Sequence, residues 1–530
     1  MEINSFKSQL DKRPDLQHLL FRRSFFVSKE AIANINKFPF YGNWNHVERH
    51  GYNFYVHKDT HVYFAESKQC CVFLLGHSYN PFTMEWEEDK QLLRIAEAYG
   101  SNKFQDRIDE LTGIFGIGWI NLATGNIHFE ADPSGMQSLY YGIMPNGNFI
   151  LTSHPQIAAD IYGLRISDFA KEIIAYKWYG RVMGPYLPAD MSQYPEVKRV
   201  VPNIEYTFSI KDNKVSHHRF YPLKELSEVA DEKEYNEVIS QAAEVLGNGA
   251  KLVTKKWNNI GISLTGGIDS NTTFAAFNGE YDKVEAFSYL SAPKEVPDAD
   301  AAKRIADHFR VKHTLFHIPD TNDSITDFSL KDAILEHTNG YMMQRKDNET
   351  RKRFYLEENL PFDVEVKSWV SETIRAYWYK HYGRNSMPRL SGKLFRNLYK
   401  IFLADRKLAH KIDKLFEQYI TDFEYEKIPA QYPPADMHYN EVTWGSWGGM
   451  NISEMKFITD ITIIYNNRKF LDLLFRIPLK DRISDRHHIE MKRVLNKELY
   501  DMNIRVVNMA ETSNRARALN LIFNLNRILP

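Results

Sequence analysis

The 530-residue chain is short of cysteine and carries no surplus of charge. Its two cysteines, adjacent at Cys70 and Cys71, cannot staple distant segments. That excludes a disulfide-framed secreted domain and points to a reducing compartment. Lys and Arg number 67 against 68 Asp and Glu, so no global field draws the chain to nucleic acid or an anionic membrane. No apolar run approaches the ~20 residues needed to span a bilayer. The first residues, "MEINSFKSQLDKRPD", lack the apolar core of a signal peptide. The expectation is a cytoplasmic protein with no membrane span and no nucleic-acid partner. What is present is globular: 43% hydrophobic and 14% aromatic residues, in a chain too long for one ordinary domain.

Two rhythms divide it. Over the first ~220 residues, β-branched and aromatic segments such as "HVYFAES", "CCVFLLGHS", "GIFGIGWINLATGNIHFEAD", "LYYGIMPNGNFILTS" and "IEYTFSIKDNKVSHHRFY" alternate with turn residues. A helix is predicted over "EEDKQLLRIAEAYG", stopped at Gly100. This half reads as α+β with antiparallel sheets, residues 1–225. A charged linker, "PLKELSEVADEKEY", follows, and residues 236–530 form the second domain. There "NNIGISLT", "KVEAFSYLS", "HTLFHI" and "FDVEVKSW" alternate with helical runs, the pattern of an α/β parallel sheet with crossover helices. The basic amphipathic stretch 392–420 reads as core helices with solvated faces, with a membrane-surface or partner helix as the alternative.

"GISLTGGIDS" (261–270) carries the chemistry. A strand ends, two glycines turn, and a helix begins: the place where ligands meet helix N-termini in an open parallel sheet. Gly266 and Gly267 let backbone approach a ligand without a Cβ, and Thr265 and Ser270 offer hydroxyls. An aspartate beside phosphate repels it unless a metal stands between, so Asp269 reads as a Mg²⁺ anchor. A plain turn capped by Asp269 is the alternative. No lysine follows the glycines, which excludes a Walker loop.

The stretch resembles the S-G-G-x-D-S loop of N-type ATP pyrophosphatases, with Thr265 at the first serine. Upstream, "LTGIFGIGWINLATGNIHFEADPSGMQSLYYG" and "FILTSHPQIA" resemble the glutaminase-domain signatures of asparagine synthetases. Farther on, "RKFLDLLFRIP" resembles that family's R-x-P-F-L-D stretch. The likeness runs from about Val72 to Asp501. It implies an N-terminal Ntn-hydrolase-like αββα sandwich and a C-terminal ATP pyrophosphatase fold with helical additions. It also implies ATP and Mg²⁺, adenylation of a carboxylate with release of pyrophosphate, and amide formation with ammonia or an amine. The carboxylate belongs to a small molecule, a peptide or a sugar, and a homodimer is left open.

The sequence departs from that pattern at three places. Glu2 stands where an N-terminal nucleophilic cysteine is expected, and Cys70 and Cys71 lie in an apolar strand, so no glutaminase is expected. In "KSWVSETIRAYWY" Glu372 matches the second metal-binding glutamate while Ser371 replaces the aspartate. Glu372 is the second candidate metal ligand, and Arg375 a candidate pyrophosphate contact, unless the two are a helical i,i+3 pair. No late lysine appears in "NMAETSNRAR"; Arg515, Arg517 and Lys492 are the substitutes. The candidate site is Asp269 and Glu372, catalytic and metal-binding, with Leu264, Thr265, Gly266, Gly267, Asp269, Ser270, Ser288 and Arg375 on the nucleotide. The competing reading is a silent pseudoenzyme that binds a nucleotide or a partner.

Overall fold

The computed structural model describes residues 3–181, 184–343, 345–400, 405–504 and 514–528. Two six-stranded antiparallel sheets stack face to face in the N-terminal half. One runs, in spatial order, Val197–Arg199, Tyr140–Ile143, Phe149–Thr152, Phe25–Ser28, Tyr52–His57 and Trp44–Arg49. The other runs Lys214–Arg219, Ile204–Ser209, Ile127–Ala131, Thr112–Asn121, Cys70–Tyr79 and Val62–Glu66.

Period-two alternation sorts the side chains into layers. Phe25, Val27, Phe54, Phe73, Phe129 and Phe149 fill the space between the sheets. Their strand neighbours Phe26, Tyr55 and Ile150 face outward, onto Phe6 and Leu10 of helix Ile3–Asp11 and Ile157 of helix Pro155–Tyr162. On the far side Val72, Leu74 and Trp119 meet Leu92 and Ile95 of helix Glu88–Ala98. The result is four layers, helix–sheet–sheet–helix. Cys70 and Cys71 are buried and free, and burial raises both thiols, Cys71 to about 12. Neither is an activated thiolate. Glu2 lies outside the described residues.

Helix Glu232–Lys256, capped by the Asp231 side chain on the Glu234 amide, leads into the second unit. Its sheet has five strands, ordered His313–His317, Val284–Leu290, Ile260–Ser263, Val364–Val366 and Asp460–Thr462, every neighbouring pair parallel. The first strand in the chain is central, and successive strands leave to one side before the fourth returns to the other. The direction of winding therefore reverses between Ile260–Ser263 and Val364–Val366, which opens a crevice at their carboxyl ends. The basic stretch 392–420 includes helices Gly392–Tyr399 and Arg406–Asp422, the latter burying Leu408, Ile412, Phe416 and Tyr419. That stretch packs as a core-facing element.

Buried polar contacts join the halves. Arg219, at the end of the sandwich, forms a bidentate pair with Glu441 at 2.7 and 2.9 Å, both side chains wholly enclosed. Arg468 of the "RKFLDLLF" helix reaches Glu130 and Asp109, each at 3.2 Å, and the Ala131 carbonyl at 3.1 Å. Asn466 donates to Asp132 at 2.8 Å, and the Asp132 carboxylate also accepts the amides of Ser134, Met136 and Gln137. The "EADPSG" turn is thus a joint between the two halves.

Candidate functional site at the sheet crevice

A cavity of about 760 Å³ opens at the reversal point. That is the size range of small-molecule sites. Leu264, Thr265, Gly267, Asp269 and Ser270 line it from the first strand's loop, and Phe287, Ser288 and Tyr289 from the second strand. Lys367, Ser368, Trp369 and Glu372 line it from the fourth. Lys294, Glu295 and Asp298 close the outer edge.

The glycine turn is built from within. Ser270 Oγ contacts Thr265 Oγ1 at 2.8 Å and accepts the Thr265 amide at 3.2 Å. Gly266 donates its amide to Asp298 Oδ1 at 3.0 Å, and Gly267 to Thr265 Oγ1 at 3.1 Å. Neither glycine occupies the left-handed region, Gly267 lying at φ −72°, so the glycines contribute absence of a side chain rather than strain. Helix Ile268–Ala276 starts next, with no side chain capping it. Its first-turn amides, at Ile268, Asp269 and Ser270, have no intrahelical acceptor and carry the positive end of the helix dipole.

Asp269 is one-fifth exposed toward the cavity and tied from behind. Ser371 Oγ donates to its Oδ1 at 2.6 Å, and Arg375 Nη1 pairs with its Oδ2. Arg375 also grips Asp485 with Nε and Nη2 at 2.8 and 3.0 Å, and Lys380 pairs with Asp485 from the other side. Burial opposes the Arg375 charge, but Asp269 and Asp485 outweigh it and hold its pKa above the ordinary value. Burial likewise works against the Asp485 carboxylate, and Arg375 and Lys380 reverse that, pulling it down to about 2. His488 is fully buried with Nε2 3.6 Å from Asp269 Oδ1, and burial holds it neutral. Glu372 faces the cavity beside Asp269; burial, and then the Asp269 charge, raises its carboxyl.

The segment bearing these groups is strained. Val370 has φ +75°, an outlier for a β-branched residue, and Ala376 and Asp485 also lie at positive φ. Such residues persist where surrounding contacts over-determine them, and they cluster at functional sites. Thr273 Oγ1 donates to Ser368 Oγ at 2.8 Å, locking the loop helix to this segment.

The structure brings Leu264, Thr265, Gly267, Asp269, Ser270, Ser288 and Glu372 around one cavity. Ser288 donates to the Leu264 carbonyl at 2.8 Å, tying the two strand ends together. Arg375 stands behind Asp269, so the i,i+3 pairing with Glu372 is not its principal contact. Lys492 is buried on helix Arg486–Leu495, near the Tyr500 ring. Arg515 and Arg517 are exposed on the last helix, and residues 508–513 of the expected lysine segment lie outside the described residues. Sequence reasoning passed over Lys367, Trp369, Lys294, Asp298 and Asp485. Lys367 and Trp369 stand within the quoted "KSWVSETIR", where a cation and an indole directly after a strand were available signals.

A resident Mg²⁺ held between Asp269 and Glu372 does not match this donor set. Oδ2 of Asp269 is occupied by a guanidinium, Oδ1 by a hydroxyl, and the partner position bears Ser371.

Residues 242–344 match the family model of asparagine synthase, about a fifth of the chain, including the 264–270 loop and Ser288 but neither Glu372 nor Arg375. No curated protein matches the chain. Among solved structures, one titled as the allosteric regulatory enzyme of purine biosynthesis is similar. It is 12% identical, covering 70% of this chain and 74% of that one at a TM-score of 0.23, too loose a superposition to bear on function.

Proposed function

We propose, with an asparagine-synthase-type domain around the glycine turn as the premise, that the chain is an AMP-forming carbon–nitrogen ligase. A carboxylate oxygen of the acid substrate attacks the α-phosphorus of ATP, and the α–β bond breaks to release pyrophosphate. The amine or ammonia nitrogen then attacks the acyl carbon, the C–O bond to AMP breaks, and nitrogen gives up a proton. Adenylation is needed because a carboxylate oxygen is a poor leaving group and AMP a good one.

The chain's own groups divide this work. The amides of Ile268, Asp269 and Ser270, with the Thr265 and Ser270 hydroxyls, receive the departing pyrophosphate. Lys294 supplies positive charge at the cavity wall, and Lys367, paired with Glu365, stands beside it. Glu372, on the cavity wall beside Asp269, accepts the proton from the attacking nitrogen in its ionised form. The observation carrying the reading is the meeting of the glycine loop and the Lys367–Glu372 segment around one cavity at the sheet's reversal point.

A silent nucleotide-binding protein is the second reading, favoured by Ser371 in the place of an expected acid. ATP–pyrophosphate exchange, screened over candidate acids, separates the two. The ligase exchanges label with one acid and loses exchange in Asp269→Ala; no exchange with any acid alongside intact ATP binding favours the silent form.

A further inference from the structure

We propose that Arg375 takes the place of a divalent cation at Asp269, so that the loop holds a nucleoside triphosphate without a metal bridge to the protein. The inference rests on the nucleotide reading of this loop.

An acid at the mouth of a phosphate site needs a positive partner, or it repels the ligand. Here that partner is covalently part of the chain. The Arg375 guanidinium contacts Asp269 Oδ2 with one nitrogen and spends two others on Asp485, at 2.8 and 3.0 Å. A planar fork held at both ends is a fixed charge, suited to a permanent counter-ion as a mobile lysine is not. Ser371 points the same way. Its hydroxyl donates to Asp269 Oδ1 at 2.6 Å and adds no negative charge where a second carboxylate would have built a cation cage.

Within the chain, Arg375 and Lys380 stand against Asp269 and Asp485, while Glu372, Glu295 and Asp298 also line the cavity, Asp298 accepting the Gly266 amide. A divalent ion entering at Asp269 meets a guanidinium already at the oxygen it needs. Among the described residues, the one cluster of three side chains able to hold a metal is His50, Glu66 and Cys71, in the sandwich and away from this loop. The phosphates, meanwhile, meet Lys294 on the cavity wall, with Lys367 beside it paired to Glu365.

The test is titration of the wild-type protein with α,β-methylene-ATP, in excess magnesium and in EDTA. Wild type binds with affinities within about threefold of each other. Arg375→Ala loses at least about tenfold in EDTA and recovers part of it in magnesium. Because that variant strips two acids of their partner, Arg375→Lys is measured beside it, with circular dichroism to confirm folding; it keeps the charge, loses the fork and shows an intermediate loss. The double variant Ser371→Asp with Arg375→Ala acquires metal-dependent binding and retains Mn²⁺, read by electron paramagnetic resonance, whereas wild type without nucleotide retains none at the loop. Binding by wild type only in magnesium overturns the inference and leaves the nucleotide reading standing. Binding in neither condition overturns the nucleotide reading and this inference with it.

Discussion

Two sets of buried arginine–carboxylate pairs serve different ends in this molecule. At the joint between the halves, Arg219 and Glu441 are wholly enclosed, and Arg468 is shut in with Glu130. At the crevice, Arg375 is largely buried, but one of its partners, Asp269, keeps an edge on the cavity. The chemistry of the pairs is the same. What differs is whether part of the carboxylate borders space that is not protein. An enclosed pair returns its desolvation cost only as architecture, whereas a pair that borders a cavity also sets the charge on its wall.

Breaking each set should therefore give different phenotypes. Arg219→Ala leaves Glu441 buried and unpaired and is expected to cost about 3–5 kcal/mol of stability. Denaturant unfolding measures it, and nucleotide affinity of the folded protein should stay at the wild-type value. Glu372→Gln should act in the opposite way. Unfolding is little changed, while amide formation slows by about 10²–10⁴-fold if the residue takes the amine proton. ATP–pyrophosphate exchange persists in that variant, which a purely structural role would not produce.

Acid should weaken both regions by one mechanism. His154 in the sandwich and His438 in the second unit are each pushed by burial down to about 3. The unfolded chain takes up these protons near pH ~6.5 and the folded chain does not, so stability falls as pH drops through that window. Unfolding free energies at a series of pH values check this, and His438→Asn should flatten the slope. The smallest effect is expected from Ser288→Ala. It removes the hydrogen bond to the Leu264 carbonyl and costs about 0.5–1.5 kcal/mol, with a modest loss of nucleotide affinity because the strand ends loosen.

Much of this fold was legible because its signals are local. The apolar run before Thr265 became the central strand, and the quoted strands of the sandwich formed where alternation and turns placed them. The three strands before residue 60 were not read. "FFVS" is a short fully buried run, and "WNHVER" carries more charge than a strand pattern usually shows. The lining of the cavity was legible at the glycine turn and at Glu372. The grip of Arg375 on Asp269 was not, since it joins residues 106 positions apart through a helix whose start bears no special pattern. Asp485 was silent for the same reason, its role fixed by tertiary placement at a positive φ. The ten-residue π-helical segment Tyr439–Gly448, which delivers Glu441 to Arg219, has no sequence rhythm that separates it from an ordinary buried helix.

The account depends most on what the first turn of helix Ile268–Ala276 receives. A crystal structure with α,β-methylene-ATP tests it directly. The account predicts the β- and γ-phosphates within hydrogen-bond distance of the Ile268, Asp269 and Ser270 amides, with Arg375 still on Asp269. Nucleotide bound elsewhere, with those amides facing only solvent, would contradict it.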